Sequence, residues 1–174
     1  ALHEFGLTAE QISSAFNSIK LVETRFTNEK IGNIEVTTHL AKGQNPVACS
    51  RVMDFVASQP GNKAVILILE DYYESRHSSE NVAWIYETDF EFLNVDSVKQ
   101  VIAGGKRFAD YEIRMLFAGI PEEKIAVCEN ELDTAKQLRI SNIDRIFILH
   151  DVFNTCYLKK IKADIAAKIE EGNK

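Results

Sequence analysis

Six consecutive apolar residues, AVILIL from Ala64 to Leu69, constrain the fold more than any other stretch of the chain. A membrane span needs about 20 such residues, so the run is far too short for one. It is β-branched, preceded by the breakers of QPGN and followed by Glu70-Asp71. It therefore reads as a strand covered on both faces, as in a parallel sheet with helices above and below. Its carboxyl end, Glu70-Asp71, falls at the edge where open α/β sheets place their ligands.

The remainder of the chain repeats the alternation such a sheet needs. Thr8 with Gln11 has capping-box spacing, and Ile12, Phe16 and Ile19 follow at helical spacing, which predicts a helix over 8–20. Ile34, Val36, Thr38 and Leu40 alternate with polar neighbours as a half-buried strand does, leading into the loop KGQNP. Pro46 suits a first helical position, and Val52, Phe55 and Val56 give a core face, so 46–58 reads as a helix. VKQVIAGG (Val98–Gly105) reads as a strand and turn, followed by a helix from about Phe108 to Phe117 that stops at Gly119 and Pro121. KIAVC, a short helix around Leu132–Leu138, the strand RIFILH and a last amphipathic helix carrying Leu158, Ile161, Ile165 and Ile169 complete the series. The fold class is α/β, a mostly parallel sheet with helices on both faces. At 174 residues the expectation is a single domain over 1–174, burying roughly 70% of its unfolded surface. Because the chain starts at Ala1 and enters a helical pattern at once, it reads as a fragment of a longer protein.

Composition narrows function mainly by exclusion. Net charge is -6 with Lys and Arg scattered, which offers nucleic acid no basic face. Cys49, Cys128 and Cys156 lie far apart without C-x-x-C spacing, and His3, His39, His77 and His150 lack ligand spacing. No metal site is expected, and odd, unpaired cysteines suit a reducing, cytoplasmic compartment. There is no P-loop: Gly104-Gly105-Lys106-Arg107 imitates one only as a glycine turn at a helix start. Glu70 and Asp71 have the form of a magnesium-holding pair, but a solvated strand end accounts for both. His39 and Cys49 could make a nucleophile and base only by accident of folding, and a cysteine among Val and Met is ordinarily a small core residue.

One stretch remains, NVAWIYETDFEFL (Asn81–Leu93), with the single tryptophan and three acids on alternate residues. Period two predicts an amphipathic edge strand, with Glu87, Asp89 and Glu91 on one face and Tyr86, Thr88, Phe90 and Phe92 on the other. The same residues carry a resemblance. Asn81, Ala83, Trp84, Ile85, Tyr86 and Glu87 follow the pattern of the MurT family, the Mur-ligase-like subunit of lipid II isoglutaminyl synthase, in which an Asp stands where this chain has Asn81. IAGGKRFADYEIRMLFAGIPEEKI (Ile102–Ile125) resembles the family's next block, and Lys42, Asn45 and Pro46 resemble its Lys-Asn-Pro turn, with Gly43-Gln44 inserted. The likeness runs from about Glu23 to Lys160.

The resemblance implies a Rossmann-like domain of the Mur ligase C-terminal type. It implies an enzyme that amidates the D-glutamate of the peptidoglycan stem peptide with ATP, magnesium and ammonia, the nucleotide being bound mainly by a preceding central domain. The ammonia comes from a glutaminase subunit, and this domain docks that subunit and supplies the acid of a Cys-His-Asp triad. Asn81 matches the triad acid, with Glu80 beside it; Trp84, Asp71, Lys42, Asn45 and Arg107 are the candidate substrate or partner contacts. For a serine nucleophile, Asp to Asn at such a position costs about 10⁴ in rate, whereas a cysteine thiolate can work with an Asn orienting its histidine. Three cases stand open: Asn81 orients the partner's histidine, Glu80 substitutes for Asn81, or this homologue has no working glutaminase partner. Two other readings stand beside the enzyme part: a non-catalytic interaction module on the same fold, and a stand-alone domain binding a phosphorylated ligand near Asp71 and Gly105.

Overall fold

The apolar run forms the middle of the sheet. In β3 (Lys63–Ile68) every residue is buried, and the strand pairs in parallel with β4 (Val98–Gly104) on one side and β6 (Arg145–His150) on the other. β6 pairs in parallel with β2 (Ile34–Leu40), and β4 with β5 (Ile125–Cys128). β1 (Phe26–Ile31) adds antiparallel to β2, giving the order β1-β2-β6-β3-β4-β5. The computed structural model describes residues 2–18, 26–69 and 82–172. Glu70, Asp71, Glu80 and Asn81 lie outside the described residues, as does Ile19.

Alternate side chains of each strand feed two cores. Val65 and Leu67 of β3, with Phe147 and Leu149 of β6, pack under α2 (Pro46–Ser58), α3 (Ala83–Glu87), a 3₁₀ turn at Phe90–Leu93 and α4 (Phe108–Phe117). Ala64, Ile66 and Ile68, with Ile146 and Ile148, pack under α5 (Thr134–Gln137) and α6 (Thr155–Gly172), whose Ile161, Ile165 and Ile169 face inward at helical spacing. Pro46 and Gly119 stand at the helix ends where the sequence places them. Asn45 accepts from the Ala48 N–H at 3.0 Å and Pro46 takes the first turn. α4 closes on Gly119 at φ 75, with the Ile120 N–H donating to Met115 O and the Gly119 N–H to Leu116 O, a Schellman motif.

Lys63, at the start of β3, is fully buried. Its ammonium donates to Gln59 O, Gly61 O and Ser97 Oγ, so it ties off the end of α2 while burial lowers its pKa.

Three expectations are corrected. The strip is not an edge strand: Ala83–Glu87 is a helical turn and Phe90–Leu93 a 3₁₀ turn, lying over the sheet rather than extending it. The sidedness partly survives, because Thr88 and Phe90 are buried and Glu87, Asp89 and Glu91 exposed, although Tyr86 is also exposed. Phe55 does not join the core face of α2; it is 39% exposed, with its ring 5.8 Å from that of His39. The capping box closes as expected, Gln11 N–H on Thr8 Oγ1 and Thr8 N–H on Gln11 Oε1, but α1 (Ala9–Ser18) buries none of its residues.

Candidate functional site

The chain leaves β2 and β3 toward one face of the sheet and leaves β6, which lies between them, toward the other. The carboxyl end of β6 is thus a topological switch point, where such sheets open a crevice. Three strand ends are laced together there. The Ala41 N–H donates to His150 O at 2.9 Å, the Asp151 N–H to Ile68 O at 3.3 Å, and Asn154 Nδ2 to the same carbonyl at 3.0 Å. The loop after β2 closes over this point so tightly that a Cβ on Gly43 would lie 2.6 Å from Leu69 O and 3.1 Å from Asp151 Oδ2. Lys42 and Gln44, on either side, have φ of 50 and 63, a left-handed conformation that side chains other than glycine adopt at a cost.

Two of the groups around this loop are tied up in contacts with the backbone. Cys49 is buried and donates its thiol to Ala41 O at 3.2 Å; burial, and then the Asp151 charge, push its pKa up to about 12, so it is no nucleophile at neutral pH. His39 donates to Leu40 O at 3.1 Å and packs edge-on against Phe26. Each is held by backbone carbonyls, which disposes of a Cys49-His39 pair. Asp151 is only 6% exposed and, among the described residues, is an acid at a strand end of this site. Sequence reasoning passed over it, although Asp151 after RIFILH carries the same signal as Glu70-Asp71 after AVILIL.

The described candidate residues fall in three places. Lys42, exposed, and Asn45, the α2 cap, stand on the switch-point loop. Arg107 is half-buried at the N-cap of α4, just after Gly105, whose N–H bonds Cys128 O. Trp84 is buried in α3 with its ring 6.2 Å from that of Tyr111 on α4, so it anchors the core rather than presenting an open face. Between α2 and the strip lies a cleft of about 320 Å³ in which Glu87 and Asp89 stand opposite Arg51. Among the described residues no cluster of His, Cys, Asp and Glu could hold a metal, and no helix is long and apolar enough to cross a membrane.

His150 gives the site a pH signature. It is buried, and burial lowers its pKa against the raising effects of its bond to Asp151 O and of the Asp151 carboxylate; burial also lowers that of His39. An unfolded histidine takes up its proton near pH 6.5, so the folded state binds fewer protons below that point. The stabilising contribution is complete above about pH 6.5 and lost as pH falls from there toward the lowered folded value. Melting temperature should hold level from about pH 8 to 7 and drop on acidification below about 6.5. His150→Asn should flatten that drop in calorimetric scans; an unchanged slope would assign it to other groups.

With this geometry in place, the family described as MurT ligase C-terminal matches residues 42–152, from the switch-point loop to just past Asp151. The chain belongs to the MurT ligase C-terminal family. Over 144 residues this MurT-family chain is 25% identical to the lipid II isoglutaminyl synthase (glutamine-hydrolyzing) subunit MurT of Streptococcus pneumoniae, covering 83% of the chain and 31% of that protein. To the subunit of the same name from Staphylococcus aureus it is 25% identical over 119 residues, covering 68% of the chain and 26% of that protein. The chain therefore spans about a third or less of the relatives it matches. In structure it resembles the MurF ligase of Thermotoga maritima in complex with ADP (TM-score 0.55, 17% identity, 98% of this chain and 36% of that one). It also resembles MurF from Acinetobacter baumannii (TM-score 0.62, 13% identity, 94% and 34%). Those likenesses establish the fold: a Rossmann-like α/β domain of the kind Mur ligases carry.

Proposed function

We propose that the chain is the C-terminal domain of a longer, cytoplasmic ATP-dependent ligase of the lipid II isoglutaminyl synthase type. In this reading the whole enzyme amidates the D-glutamate of the peptidoglycan stem peptide, with ATP and magnesium held mainly by a preceding central domain. Ammonia arrives from a glutaminase subunit that docks on this domain. The observation that carries the reading is the family match across 42–152, which takes in the switch-point loop, Asn81 and α3 together. The relatives' names, glutamine-hydrolyzing and a subunit, and the ADP in the Thermotoga maritima ligase support it.

In the glutaminase, a cysteine thiolate adds to the side-chain carbonyl carbon of glutamine, ammonia leaves, and water releases glutamate. The histidine that shuttles the proton needs an acceptor for its second N–H. Asn81 can supply one through its amide oxygen, without the charge that would stabilise an imidazolium. Glu80 can supply both.

The test is co-purification of the full-length ligase with its glutaminase and assay of glutamine hydrolysis. Asn81→Ala should lower kcat on the order of tenfold or more, and Asn81→Asp should raise it. A fall on Glu80→Ala alone would move the role to Glu80. If neither alanine change alters hydrolysis, the triad assignment is wrong.

A further inference from the structure

α3 is five residues long, and a helix that short does not hold itself together in water. Four separate contacts fasten it and the turn that follows. The Trp84 ring meets Tyr111 edge-on; Tyr86 Oη donates to Asp110 Oδ1 at 3.0 Å; and the Asp89 N–H donates to Ser50 Oγ of α2 at 2.9 Å. The fourth is Arg114, buried in α4, whose Nη2 donates to Thr88 O at 2.7 Å and to Glu91 Oε2 at 2.6 Å while its guanidinium carbon sits 5.5 Å from the centre of the Phe90 ring. Asp110, Tyr111 and Arg114 are neighbours on one side of α4, so one helix face makes three of the four contacts and Ser50 of α2 makes the other.

A buried guanidinium is a costly fastener. An apolar side chain of similar volume, well packed, would serve stability as well or better. What arginine adds is direction: a planar set of donors aimed at fixed points, here a carbonyl that closes α3 and a carboxylate one turn further on, with an aromatic face beneath. The Arg114 guanidinium also holds the Glu91 carboxyl below its ordinary pKa, so the pair stays charged down to acid pH.

We infer that Arg114 is a positioning residue: it fixes the α3 elbow as a rigid mount, so that the chain entering α3 at Val82 meets a docked partner at a constant attitude. The inference rests on the glutaminase-docking reading above. It assigns Arg114 no contact with glutamine or the partner's nucleophile; its effect passes through α3.

The experiment uses the full-length ligase with its glutaminase and compares amidation driven by glutamine with amidation driven by an added ammonium salt. Arg114→Lys keeps the charge and loses the planar donors. Glutamine-driven kcat should fall on the order of tenfold with KM for glutamine little changed, because a small misplacement of a catalytic group is costly. Ammonium-driven amidation should stay within about twofold, showing that the domain is folded and the ligase intact. Tyr86→Phe removes only an exposed hydrogen bond, cannot unfold the domain, and should shift the same ratio in the same direction by a smaller factor; if Arg114→Lys fails to fold, Tyr86→Phe decides. Equal losses with glutamine and ammonium, or no change in the ratio for either variant, would overturn the positioning role. If Asn81→Ala slows hydrolysis while both of these variants leave it alone, only this inference falls. If Asn81→Ala and Glu80→Ala are also silent, the triad assignment falls with it, and loss of co-purification with the glutaminase would remove the docking reading itself.

Discussion

Trp84→Ala should lower the stability of the domain by about 3–5 kcal/mol. The indole is 7% exposed, meets Tyr111 at 6.2 Å and belongs to the same core as Ile85, Phe90 and Leu93, so its removal opens a cavity beneath a helix too short to collapse into it. The cost combines lost transfer energy with that unfilled space. Denaturant titration followed by far-ultraviolet circular dichroism reads it as a lower midpoint at unchanged slope. A loss below about 1 kcal/mol would mean that α3 lifts from the sheet without disturbing the core. Phe16→Ala on α1, where the ring is 61% exposed, is the contrast and should stay within about 0.5 kcal/mol of the parent.

Gly43→Ala should be the most damaging single methyl group in the switch-point loop. Its carbon would stand 2.6 Å from Leu69 O, a main-chain atom at the end of the central strand that has nowhere to retreat, and 3.1 Å from the Asp151 carboxylate. Overpacking of this kind costs about 1–3 kcal/mol. The loop must move as a unit, carrying Asn45 away from the Ala48 N–H, so part of the loss should appear as fraying of the first turn of α2. Thermal melts give the size, and faster amide exchange at Ala48 and Cys49 gives the location. A melt unchanged within about 0.5 kcal/mol, with exchange intact, would show that the loop is looser than its contacts imply.

What the sequence reveals here depends on how each element is held. AVILIL and RIFILH are legible because a strand buried on both faces has no choice but continuous apolar residues, and α2 and α4 because starts and stops are local: Pro46 at one start, Gly119 and Pro121 at one end. β1 is invisible to the same reasoning. FTNEKI shows no apolar period, because its pairing with β2 rests on polar side chains: Thr27 to Thr38 at 2.6 Å, Asn28 to Glu35 at 2.8 Å, and Thr37 to Asn28 at 3.1 Å. In the strip, the alternating acids suggested a strand, yet Trp84, Ile85 and Thr88 are all buried, and positions i, i+1 and i+4 share a face only in a helix. That signal was present and was outweighed by charge spacing, which merely records which residues meet water.

Of the candidate site, the sequence offers strand ends and a turn but not the contacts made across them. The carboxyl edge follows from strand ends, which are local features, whereas Lys42 and Asn45 are marked only by the likeness of their turn to the MurT family's Lys-Asn-Pro turn. Asp151, Gly43 and Arg114 matter through what lies across from them, namely Leu69, Asp151 itself, Thr88 and Glu91, partners that no spacing in the chain announces. Cys49 was read correctly as core because its neighbours on the helix, Val52 and Met53, share its environment.

The sheet order also dictates an order of events during synthesis. β2 and β3 never pair with each other; β6 stands between them, joined to both, and its first residue, Arg145, emerges from the ribosome long after Leu40 and Ile68. Until then the nascent chain carries two unsatisfied strand borders side by side, and the last parallel strand must enter as a wedge. Distant pairing of this kind is slow and leaves apolar edges open to wrong partners. Chains stopped short of Arg145 should accumulate as insoluble intermediates rather than as a smaller version of the domain.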